Sequence, residues 1–129
     1  MRVLLDSQFF IWTLFEPHRV PSGLFERLLG ANVVYLSMAT EWELTIKQTQ
    51  GKLHLPKPID ELVDGELENT SLEFLPIRRP HLKRLAQLPL YHRDPFDRLL
   101  IAQALEQDLT VVTSDRIFAR YGVKSLPIR

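Results

Sequence analysis

Short runs of apolar and β-branched residues recur along this chain with helix-length stretches between them, and that alternation constrains the fold more than any other feature. Arg2 to Leu5, Val33 to Leu36, Leu72 to Ile77, Thr110 to Thr113 and Val123 to Leu126 read as strands. Ser7 to Phe15 reads as a helix closed by Pro17, and Pro21 and Ser22 open a second that ends near Gly30. Ser37 caps a third through about Gln50, stopped by Gly51. Ile59 to Glu68 forms an acidic, exposed helix after a loop marked by Pro56 and Pro58, and Pro80 to Leu88 a basic one. Asp94 opens the longest helix, to about Gln107, and Arg116 to Tyr121 makes a short last one. Strands that alternate with helices imply parallel pairing through right-handed crossovers, hence a three-layer α/β domain with a central, mainly parallel sheet of four to five strands. At 129 residues the chain is expected to be a single domain spanning 1–129 with a core of its own.

Several function classes drop out on composition. There is no cysteine, so disulfides and thiolate metal sites are excluded and a reducing cytoplasm is the expected compartment. Asp6 interrupts the first apolar run and no small-residue cleavage site follows, so no secretory leader is expected. The charge-free stretch Leu28 to Thr40 is too short to span a bilayer, so no membrane role is expected. Formal net charge is zero, which gives no support for a strongly basic nucleic-acid binder. His18, His54, His81 and His92 show no paired ligand spacing, which disfavours a zinc hydrolase. No Walker loop, dinucleotide glycine turn or nucleophile elbow is present.

The acids are placed less evenly. Asp6 ends the first strand, Asp115 follows the Thr110–Thr113 strand, Asp97 sits in the first turn of the longest helix, and Glu41 and Glu43 lie early in the helix after the second strand. In a parallel sheet all these points face one side, beyond the carboxyl ends of the strands. Gathered carboxylates raise one another's pKa unless a positive charge joins them, and a hard divalent cation such as Mg²⁺ or Mn²⁺ meets that need with oxygen ligands. One or two such ions suit phosphodiester hydrolysis. Each acid also has a plainer use. Asp6 and Asp115 can cap helices, Glu43 and Lys47 form an i,i+4 pair, and Asp94 with Pro95 and Asp97 makes a good helix start. Capping alone does not explain why carboxylates recur at the same strand-end positions. Glu41 and Glu43 point about 160° apart on a helix, on opposite edges of a buried face read as Met38, Ala39, Trp42 and Ile46, and periodicity does not choose between them.

These residues resemble a known family. Leu4-Leu5-Asp6-Ser7, Trp42 to Lys47, His92 to Ala104 and Thr113-Ser114-Asp115 together look like the PIN domain, and more narrowly like the VapC-type toxins of bacterial toxin–antitoxin pairs. The resemblance covers nearly the whole chain, and the 92–104 stretch is its most specific part. It implies a Rossmann-like α/β/α sandwich, a Mg²⁺- or Mn²⁺-dependent endoribonuclease, inhibition by a cognate antitoxin, and a homodimer. Carried over residue by residue, it implies Asp6, Glu43, Asp97 and Asp115 as the metal-binding catalytic acids, and so selects Glu43 over Glu41. Lys47 matches the same motif and is expected near the site or a phosphate. Two positions depart from the family's habit: Ser7 stands where threonine is common, keeping the hydroxyl, and Glu41 stands where an uncharged residue is usual.

The mechanism expected from this reading is hydrolysis of an RNA phosphodiester by activated water, leaving a 3′-hydroxyl and a 5′-phosphate. Ser7, Asp94, Thr113 and Ser114 are candidates for supporting hydrogen bonds. Arg93, Arg98, Arg116 and Arg120 lie near the acids in sequence and are candidates for phosphate contact, each weighed against an ordinary solvated charge. Setting the four site acids aside leaves the remaining charge net positive, which is compatible with RNA. The helix Ser7–Phe15 is apolar on nearly every face, so part of it, with Trp12 and Phe15, is expected to meet an antitoxin or second subunit. The rival readings are a non-catalytic PIN-like module for RNA or protein, and another acid-cluster phosphohydrolase. Receiver or dehalogenase-like enzymes pair acids at the first strand's end, but here Asp6 stands there without an Asp-x-Asp.

Overall fold

The computed structural model describes residues 1–127. Within them β1 (Arg2–Leu5), β2 (Val33–Ser37), β3 (Glu73–Leu75), β4 (Thr110–Thr113) and β5 (Lys124–Pro127) form one sheet in the order β3-β2-β1-β4-β5. All neighbours pair in parallel, with Leu4 opposite Tyr35 on one side and Val111 on the other. The chain leaves β1 for β2 on one flank and returns to the opposite flank with β4. That reversal opens a crevice beyond the carboxyl ends of β1 and β4.

Alternation along the strands divides the core. Val3 and Leu5 pack with Leu36, Val112 and Leu126 on one face, and Leu4 packs with Leu75 and Val111 on the other. The first face is covered by α1 (Ser7–Phe15), α2 (Leu24–Leu29) and α4 (Ile59–Asn69), through Phe9, Phe10, Leu24, Ile59 and Val63. The second is covered by α5 (Arg79–Gln87), α6 (Pro95–Gln107) and α7 (Ile117–Arg120). In α6 the run Leu99 to Ala104 is wholly buried. The helix α3 (Met38–Thr49) gives Leu44 to the first core and Ala39 to the second, so it joins both layers. This is the three-layer α/β/α arrangement expected, with five strands. Among the described residues no helix is long and apolar enough to cross a membrane.

Three local expectations are corrected. The second helix starts at Leu24, after Gly23 takes a φ of +86°, and not at Pro21 and Ser22. The third strand stops at Leu75 and not Ile77, because Pro76 has no N–H to extend the ladder. The buried face of α3 is Ala39, Thr40, Glu43 and Leu44, while Trp42 is 51% exposed and Met38 also faces solvent. Trp42 rests its ring edge-to-face on Phe96 at 5.0 Å.

Candidate active site

The first turn of α1 sets the first acid. Asp6 leaves β1 in an extended conformation and caps α1, its Oδ1 accepting from the Phe9 N–H at 2.7 Å. Its carboxylate is nonetheless buried at the crevice. Burial pushes its pKa up, and Glu43 and Asp115 push the same way, while hydrogen bonds from the Thr113 hydroxyl and the Phe9 amide pull down. Capping and a place in the cluster are therefore two properties of one side chain.

Glu43 comes from α3. The Ser37 hydroxyl caps that helix and donates to Oε1 of the fully buried Gln103, whose Nε2 reaches the Pro76 carbonyl at 3.3 Å. This fixes the start of α3 against α6 and the end of β3. One turn on, Glu43 is 6% exposed and accepts from the Ser7 hydroxyl at 2.7 Å and the Lys47 ammonium at 2.8 Å. The pair with Lys47 raises the lysine's pKa, with Asp94 and Asp97 adding to the effect. Glu41 lies away from this cleft, and the acids that raise its own pKa, after burial, are Asp64 and Asp60 of α4.

Asp94 and Asp97 arrive together at the head of α6. Asp94 Oδ1 accepts from the N–H groups of Phe96 and Asp97 at 2.9 and 3.1 Å, which makes it the N-cap. Asp97 projects into the cluster. Burial, then Asp94 and Glu43, push its pKa up to about 6, against a lowering pull from His92. Asp115 follows β4. Its amide donates to Thr113 Oγ1 and its Oδ1 accepts the Ile117 N–H at the start of α7. Thr113 thus serves both strand-end acids.

Asp6, Ser7, Glu43, Lys47, Asp94, Asp97, Ser114 and Asp115 line one cleft of about 430 Å³, together with Gln8, Ile11, Leu44, Lys52 and Leu53. Five carboxylates face two lysines there, an excess of negative charge that an added cation would relieve. The donors are oxygens, which suits a hard divalent ion such as Mg²⁺ or Mn²⁺. The residues present therefore fit the implied metal: Asp6, Glu43, Asp97 and Asp115 all reach this cleft and could hold it, although the donor atoms that lie within 4.8 Å of one another are those of Asp97, Asp115 and His92.

The arginines are not brought to the cleft. Arg98 is committed to backbone carbonyls, with Nη1 donating to Pro89 O at 2.8 Å and Nη2 near the Leu85 and Leu88 carbonyls. Arg120 stacks over the Tyr91 ring at 4.3 Å, Arg93 lines a separate depression with Leu88 and Leu90, and Arg116 stands just ahead of α7 with an exposed side chain. None of the four lines the cleft, although Arg98 and Arg116 directly follow two of its acids in sequence.

His92 is the residue that sequence reading passed over. Its Nε2 lies 2.8 Å from Asp97 Oδ2 and 3.4 Å from Asp115 Oδ2, and one donor atom from each of the three lies within 4.8 Å of the others. A search for paired histidines cannot find it, because its partners are carboxylates. Its place in the loop feeding α6, two residues ahead of the cap, was the available signal.

A profile of the PIN domain matches residues 3–124. The chain belongs to the PIN domain family. Solved structures share its fold at low identity. A DNA-bound VapBC from Salmonella typhimurium aligns with a TM-score of 0.76 at 22% identity, covering 100% of this chain and 99% of that one. VapBC2 from Rickettsia felis, bound to a DNA fragment from the promoter, gives 0.75 at 15% identity with 100% of both chains covered. FitAcB from Neisseria gonorrhoeae gives 0.66 at 23% identity, with 96% of each chain covered. No curated protein sequence matches the chain.

Proposed function

We propose that this PIN domain is the endoribonuclease toxin of a VapBC-like toxin–antitoxin pair and hydrolyses RNA phosphodiester bonds with Mg²⁺ or Mn²⁺. The observation that carries the reading is the cleft of five carboxylates at the carboxyl ends of β1 and β4 and the heads of α3 and α6. Asp6, Glu43, Asp97 and Asp115 would hold one or two ions. Bound there, the cation would neutralise charge on the phosphate and lower the pKa of a water nucleophile.

The chain's own groups do the positioning. The Ser7 hydroxyl and the Lys47 ammonium fix the two oxygens of Glu43. The Thr113 hydroxyl steadies Asp6 and accepts the Asp115 amide proton. Lys47 and Lys52 at the cleft wall offer positive charge to phosphate oxygens of a bound strand. Ile11, Leu44 and Leu53 supply an apolar wall that limits water around the carboxylates.

Partner binding is read from α1 and α2. Phe9 and Phe10 are buried, Ile11, Trp12 and Leu14 are half-buried, and Phe15 reaches solvent. Beside them lies an apolar groove of about 340 Å³ lined by Phe10, Phe25, Leu28, Leu29 and Leu72, among others. Leu29 is 85% exposed, a large apolar surface for an antitoxin segment to cover. The solved VapBC and FitAcB assemblies of the same fold support such pairing. For the homodimer, exposed Met38 and Trp42, one turn apart on α3, offer an apolar face that a second copy would bury.

The test is cleavage of purified total RNA with Mg²⁺ or Mn²⁺ and with EDTA, followed by end-group analysis. Metal-dependent cleavage leaving 5′-phosphate and 3′-hydroxyl ends is expected. Cleavage in EDTA, or 2′,3′-cyclic phosphate ends, would contradict the mechanism. Tight RNA binding without cleavage would favour the non-catalytic module.

A further inference from the structure

The loop between α5 and α6 is held in unusual detail around one residue, His92. The Tyr121 hydroxyl accepts the His92 backbone N–H at 2.9 Å and donates to the Pro89 carbonyl at 2.7 Å. Arg98 Nη1 reaches the Pro89 carbonyl at 2.8 Å, the Tyr121 hydroxyl at 3.2 Å and the His92 carbonyl at 3.4 Å. Both backbone polar groups of His92 are thus tied to α6 and to the end of α7. The side chain is fixed as well. Its Nδ1 accepts the Asp94 backbone N–H at 3.3 Å, and its Nε2 faces Asp97 Oδ2 and Asp115 Oδ2.

The hydrogen-bond pattern decides the chemistry of the ring. An imidazole whose Nδ1 accepts carries its proton on Nε2. That proton points at Asp97 Oδ2 at the head of α6, and Asp115 Oδ2, after β4, lies 3.4 Å from the same nitrogen. A protonated Nε2 has no lone pair for a metal, but it can set the spacing of two ligands that belong to different elements. Each carboxylate keeps further lone pairs for a cation. Groups that hydrogen-bond to ligating carboxylates commonly govern metal affinity as strongly as some ligands do.

We propose that His92 is a positioning residue of the metal centre: its Nε2–H holds Asp97 by a hydrogen bond and so keeps it beside Asp115, whose Oδ2 lies 3.4 Å from the same nitrogen, and it does not itself ligate the metal. The Arg98–Tyr121 clamp is the device that keeps its ring in place. The inference rests on the reading of the cleft as a divalent-cation site.

Mn²⁺ titrated into the full chain tests it, with affinity read by calorimetry and coordination by pulsed EPR. His92→Ala should weaken Mn²⁺ binding about 10- to 100-fold. His92→Gln, which restores a side-chain N–H, should recover part of that loss. Tyr121→Phe should weaken binding in the same direction by less, and should add little in the His92→Ala background, since both act through one element. The wild-type Mn²⁺ signal should show no directly bound nitrogen that vanishes in His92→Ala. Unchanged affinity in His92→Ala, with or without a fall in Tm, would overturn the proposal. So would a nitrogen coupling lost with His92, because the residue would then be a ligand. Failure of the wild type to bind Mn²⁺ at all would overturn the cleft reading together with this one.

Discussion

At the scale of single residues the acids have opposed duties, and the pKa of Asp97 makes the conflict measurable. In the folded protein it lies at about 6, above the ordinary carboxylate value of 3.8. The folded protein therefore binds a proton more readily than the unfolded chain between those limits. By linkage the stability this contributes is present in full below about pH 4 and is lost as pH rises through about 6. Asp6, also raised by burial, acts in the same direction. In EDTA the Tm should fall as pH goes from 5 to 7, and Mg²⁺ or Mn²⁺ should recover the loss. Asp97→Asn should flatten that pH dependence and raise the metal-free Tm at neutral pH by a few degrees. A Tm in EDTA that is flat or rising over the window would count against the buried acid cluster. That Asp6, Ser7 and Asp115 come to one cleft was legible in sequence, because strand ends are easy to place, whereas periodicity left Glu43 and Glu41 undecided and only the family resemblance chose between them. His92 was not legible, because its meeting with Asp115 depends on how β4 and the α5–α6 loop close around each other.

At the scale of elements, α3 and α6 position the site, and they differ in how well sequence describes them. The longest helix, expected from Asp94 to about Gln107, is α6, with Asp94 as its cap. On α3 the apolar pattern misleads: the helix buries Thr40 and Glu43 toward the cleft and turns Trp42 outward. Hydrophobic periodicity finds the inner face only where the inner face is apolar, and next to a polar site it is not. Gln103 illustrates the same point. Nothing in Ala102-Gln103-Ala104 announces that the amide is fully buried and ties Ser37 to the Pro76 carbonyl. Gln103→Leu would leave that hydroxyl and carbonyl without their partner, and should cost about 1–3 kcal/mol in urea unfolding. It should also lower cleavage, because the start of α3 positions Glu43. Full stability in the variant would mean that the network does not hold α3.

At the scale of the whole molecule, a neutral total conceals a segregated charge. Five carboxylates occupy one cleft, while the rest of the sequence is net positive, an arrangement suited to a polyanion whose scissile phosphate meets a cation. The apolar groove of α1 and α2 lies apart from the acids, since the two lining sets share no residue. Partner binding and metal binding should therefore separate on mutation. Leu29→Lys with Phe25→Lys should weaken a co-expressed antitoxin at least tenfold and leave Mn²⁺ affinity within a factor of two; loss of both together would argue against two distinct surfaces.

On the proposed function, Asp97 takes part in metal-dependent RNA cleavage at the acid cleft, while Asp94 serves chiefly as the cap of α6. Initial rates of RNA cleavage at saturating Mg²⁺ for wild type, Asp94→Asn and Asp97→Asn, each shown folded by circular dichroism, test it most directly. Asp97→Asn should lose about 100-fold or more, the scale of several kcal/mol of charge stabilisation. Asp94→Asn keeps a capping oxygen and should lose less than about tenfold. Comparable rates for wild type and Asp97→Asn, or a larger loss in Asp94→Asn, would contradict the account.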